Sequence, residues 1–144
     1  MSFQLGARNH RGIRTLLLAS LLFSGCLGIG VYILVAIFKH PIVAAFAGQD
    51  TQLLTIATTA TTFVSLHYLV SFANIIGSSF HTAVERPIES AVIALCRSII
   101  FALIPLFLLT PIIGDLGIWL SMPIAEVLTL AITILLCRRT LKRL

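Results

Sequence analysis

The 144-residue sequence predicts an all-α integral membrane protein, a bundle of four transmembrane helices forming a single domain over 1–144. Three observations carry that prediction. Hydrophobic residues make up 58% of the chain and charged residues only 10%. The mean hydropathy of +1.07 lies far above that of a soluble globular domain. The apolar residues also gather into four runs, at about 15–38, 52–80, 90–112 and 117–137, each near or above the ~20 residues that a spanning helix needs.

The first run follows a basic stretch and could be mistaken for a secretory leader ending near "AFA" at 45–47. It is longer than the ~7 to 15 residues of a leader's apolar region, and Lys39, His40 and Pro41 interrupt it before the small residues. Inside it Ser20, Ser24 and Gly28 recur every fourth residue, so one helix face is lined with small groups and can meet another backbone closely. Pro41, Gly48, Gln49 and Asp50 then predict a loop over 39–50.

The second run carries two polar stripes at helical spacing. Thr51, Thr55, Thr58, Thr62 and Ser65 occupy its outer half, while His67, Ser71, Asn74 and Ser78 occupy its inner half and face the opposite way. Thr and Ser can return their hydroxyls to a carbonyl one turn earlier, which makes the first stripe structural. His67 and Asn74 need partners inside the bundle or water in a cavity. Interhelical hydrogen bonding and a place along a transport pathway both remain open for them.

"HTAVERPIES", with Arg86 and Pro87, predicts the next loop. The third and fourth runs are joined by "TPIIGDLG", which is so short that the two helices must form an antiparallel hairpin. Pro105 and Pro123 remove the donors that would reach the carbonyls of Phe101 and Trp119, so both positions are predicted helix breaks.

With both termini in the cytoplasm, Arg8, Arg11, Arg14, Arg86, Arg97, Arg138, Arg139, Lys142 and Arg143 all fall on the inner side, and Lys39 alone lies outside. That bias orients a multi-pass protein of a cytoplasmic membrane. The same placement excludes nucleic acid as a partner, because the net charge of +5 sits at the ends of apolar runs and not on a patch. Membrane lipids are the expected surroundings. Cys26, Cys96 and Cys137 form no ligand-spaced pair, so neither metal nor disulfide is expected. No nucleophile with base, no metal-ligand cluster and no phosphate loop supports an enzyme.

One carboxylate, Glu126, stands near the middle of the fourth run. A charge at that depth costs roughly 2.5 to 3.5 kcal/mol on insertion scales, which marks it as a functional candidate. Arg97 is the obvious counter-charge. In an antiparallel hairpin it lies several residues nearer the cytoplasm, roughly 6 to 9 Å at about 1.5 Å per residue, so Arg97 is expected to reach for the interface in preference to Glu126.

Two stretches resemble the multidrug and toxic compound extrusion (MATE) family. In "SFQLGARNHRGIRTLL", Ser2, Phe3, Gly6, Ala7 and Arg11 stand at matching positions of a cytoplasmic segment between membrane helices. Phe80, Arg97, Pro105, Gly114, Gly117, Trp119, Pro123 and Glu126 match a second series that includes "GDLGIW" and "PIAE". The resemblance implies part of a twelve-helix, two-lobe fold, namely the last four helices of its C-terminal lobe. It implies an antiporter of the bacterial inner membrane that exports amphiphilic or cationic small molecules in exchange for H+ or Na+, with no organic cofactor. The partner would be the remaining N-terminal helices or another subunit. A small non-transporting module packed against a partner protein is the alternative. A four-helix dual-topology exporter fits badly, since its membrane carboxylate belongs in the first helix and its charge bias is weak.

Overall fold

The computed structural model describes residues 1–7, 9–48 and 50–143. The inner position expected for Arg8 and the loop position of Gln49 lie outside the described residues. A short helix α1 (Ser2–Gly6) precedes α2 (His10–Ala47), α3 (Thr51–Ser65), α4 (Tyr68–Ala83), α5 (Pro87–Leu95), a π turn over Cys96–Ile100, α6 (Phe101–Ile113) and α7 (Asp115–Arg143). Three helical segments are long and apolar enough to cross a bilayer, and α3 with α4 makes a fourth across a 44° bend. The predicted all-helical membrane bundle is therefore observed.

Helix ends follow local chemistry. Asn9 caps α2 by accepting from Gly12 N at 3.0 Å, and Asp50 caps α3 by accepting from the amides of Gln52 and Leu53 at 3.0 Å. Pro87 opens α5 at its first turn, where its missing N–H has no partner to lose. Gly114, with φ 62°, reverses the chain between α6 and α7 in a conformation that side chains disfavour.

Several boundaries differ from the sequence reading. The loop expected over 39–50 does not begin at 39, because α2 runs through Pro41 to Ala47. The second span is two helices, separated at Leu66 and His67. Pro105 and Pro123 are not helix breaks: each sits inside a continuous helix. The departure from α geometry comes upstream of Pro105, where Phe101 N–H bonds to Cys96 O across five residues.

α4 is the central element, packed on α2, α5 and α7. The small-residue face of α2 is used within the chain, since a Cβ at Gly28 would lie 2.8 Å from Tyr68 O. At the end of the bundle nearer the N-terminus Ile13, Leu17, Phe80 and Val84 form a buried apolar cluster. Arg14 reaches across to donate to Leu141 O at 3.2 Å. In the Thr stripe of α3, Thr55 bonds Thr51 O and Thr62 bonds Thr58 O within the helix, while Thr62 also accepts from Lys39 Nζ of α2 at 3.1 Å and the buried Thr58 hydroxyl has no partner among the described residues.

Candidate functional site

α7 buries one face, on which Gly117, Ser121, Ala125, Glu126, Thr129 and Thr133 follow each other at helical spacing. Small and hydroxyl side chains let α4 approach closely. At the crossing a Cβ on Gly77 would overlap the Thr133 methyl group, so only glycine permits this contact. The approach brings Asn74, one turn before Gly77, against Glu126.

Both oxygens of the Glu126 carboxylate are engaged. Arg97 Nε donates to Oε1 at 2.7 Å. Asn74 Nδ2 donates to Oε2 at 2.7 Å and to the Glu126 main-chain oxygen at 2.9 Å. Thr133 Oγ1 lies 2.8 Å from Asn74 Oδ1 and donates to it. His67 Nδ1 stands 3.9 Å from Oε1, beyond hydrogen-bond range but close enough for a charge to be felt. Asn74 is fully buried and Glu126 is 5% exposed.

The sequence-derived candidates Glu126, His67 and Asn74 thus converge on one place, from three segments. Arg97 differs from expectation. It does not turn to the interface but bonds the carboxylate, because the reach of a guanidinium covers the offset between the two Cα positions and the π turn carries it. Pro123 stands one turn from Glu126 without opening the helix, and Pro105 is buried in α6. Thr133 and Thr129 were not singled out in the sequence. Their spacing of three and seven residues from Glu126 places them on its face, and that periodicity is the signal that could have found them.

A cavity of about 320 Å³ opens beside the network, lined by His67, Arg97, Ser98, Met122, Ala125 and Glu126 among others. The Arg97 and His67 side chains are 32% and 25% exposed, against 6% for that of Glu126. A buried acid is therefore linked to open space through two basic groups. Such an arrangement lets a cation or a proton compete with Arg97 for the charge of Glu126.

The family model MatE matches residues 1–108. The chain belongs to the MatE family. No curated protein and no solved structure matches it. MatE proteins are efflux transporters for multiple drugs and toxic compounds, and the match covers α1 to α5, the π turn and much of α6. His67, Asn74 and Arg97 lie within the matched region of this MatE chain, while Glu126 lies beyond it on α7.

Proposed function

We propose that the chain is the C-terminal part of a MatE antiporter that exports amphiphilic or cationic compounds in exchange for H+ or Na+, with Glu126 as the exchanging carboxylate. One observation carries this reading. A buried membrane acid is held at one oxygen by a guanidinium that also borders a cavity. The arrangement keeps the pair electrically neutral in the bilayer, and a buried carboxylate left without a partner is unstable. An arriving proton or cation takes over the role of Arg97, and departure of that ion restores the bond. Asn74 holds the other oxygen in place through each exchange. The remaining helices of the transporter, or a partner subunit, complete the cavity wall. Both termini lie on the cytoplasmic side of a bacterial inner membrane, an orientation that the distribution of basic residues supports.

The test replaces Glu126 by Gln in the transporter assembled with its remaining helices. Glu126→Gln keeps the shape and hydrogen bonding of the protonated acid but cannot lose a proton. Normal abundance with collapsed ion-coupled efflux is the expected result. Efflux with unchanged rate and unchanged pH dependence would leave Glu126 a structural group.

A further inference from the structure

His67 stands at the only bend in the second span among the described residues, between α3 and α4. Its ring packs edge-on against Tyr68, with centroids 4.4 Å apart. The side chain borders the cavity on one side and turns Nδ1 towards Glu126 Oε1 on the other.

The two carboxylate oxygens are not equivalent as proton sites. Asn74 Nδ2 reaches both Oε2 and the main-chain oxygen of Glu126. A main-chain oxygen can only accept, so the atom at that position is the amide nitrogen, and Oε2 likewise faces a donor. The Thr133 hydroxyl on the opposite side satisfies Oδ1 and fixes the same orientation. A proton placed on Oε2 would find no acceptor there. Oε1 meets Arg97 Nε, also a donor, and the imidazole of His67. Of these neighbours only an imidazole can both give and take a proton near neutrality.

We infer that His67 relays protons between the cavity and Glu126, and that Oε1 is the atom that gains and loses them. Water in the cavity gives a proton to Nε2, and the ring passes the proton on Nδ1 to Oε1. Arg97 Nε then faces a neutral carboxyl in place of its counter-charge, and its side chain turns to the cavity it already borders. The ring returns by exchanging its tautomer, so one proton enters and one leaves. The approach of Nδ1 to Oε1 must shorten by about 1 Å from the resting distance, as catalytic contacts commonly do on engagement. The charges acting on His67 are those of Glu126 and Arg97; α4 contributes the neutral Asn74, α6 Ala102 and α7 Met122.

The relay serves the exchanging role assigned to Glu126, yet its test does not depend on transport. The full chain in lipid nanodiscs is subjected to a rapid pH drop, and protonation of Glu126 is followed through its infrared carboxyl band, identified by its loss in Glu126→Gln. His67→Ala should slow the appearance of that band by about a hundredfold, in the range of a lost general acid–base group, and leave its final amplitude unchanged. Free imidazole should restore the rate. His67→Gln, which preserves bulk and polarity, should be equally slow. An unchanged rate, a slow rate that imidazole does not relieve, or no band sensitive to Glu126→Gln at any pH would each overturn the relay. Loss of the relay would leave the exchange reading standing, and failure of Glu126→Gln to alter efflux would leave the relay standing.

Discussion

Gly77 owes its place to an atom on the facing helix, since any Cβ there meets the Thr133 methyl group. Gly77→Ala should lower thermal stability in detergent by about 1 to 3 kcal/mol, the usual range for overpacking. Thr133→Ser removes the offending methyl and keeps the hydroxyl that orients Asn74, so the double variant should regain most of the loss. A double variant no more stable than Gly77→Ala would refute the contact. At this scale the site was partly legible. Glu126, His67 and Asn74 announce themselves as polar groups in apolar runs. Arg97 was misread because an offset along the helix axis ignores a side chain long enough to cancel it. Thr133 was passed over because a hydroxyl on a helix can satisfy itself, as its contact with Thr129 O at 3.1 Å illustrates.

The elements repeat the lesson with a different cause. Long apolar runs specify spans, and all four were evident. The bend at Leu66 and His67 was not, because no glycine or proline stands between Ser65 and Tyr68. Nor did any residue type announce the π turn. A π turn is an α-helix holding one residue more than its hydrogen-bond register requires. Deleting the exposed Ile99 should therefore close it, leaving α5 and α6 on their existing faces while the Arg97 bond is lost. Deleting Leu128 from α7 has no such remedy, and turns the face carrying Thr129 and Thr133 by about 100°. Helical melting followed by circular dichroism in lipid should show the first chain folded and the second severely destabilised. Equal loss in both would contradict this account.

Across the whole molecule, the basic residues carry the expected orientation and the buried acid marks the candidate site, but neither says how the helices come together. Residues far apart in the chain meet because α4 threads between α2 and α7, and that arrangement is a property of packing. The tight reversal at Gly114 and the bond between Arg97 and Glu126 join the last two spans twice over, once through the backbone and once through charge. Membrane insertion inherits that link. Emerging singly, the span holding Arg97 would carry an unmatched charge costing about 2.5 to 3.5 kcal/mol on insertion scales. Followed at once by α7, it arrives with its counter-ion attached, so the hairpin should enter the bilayer as one unit. A chain cut after Gly114 and given a glycosylation acceptor at its new end should be modified poorly in microsomes, and Arg97→Leu should restore modification. Full modification of the cut chain with Arg97 in place would show that the third span inserts unaided. On this account the carboxylate is useful before any transport begins, since it escorts an arginine into the membrane during synthesis.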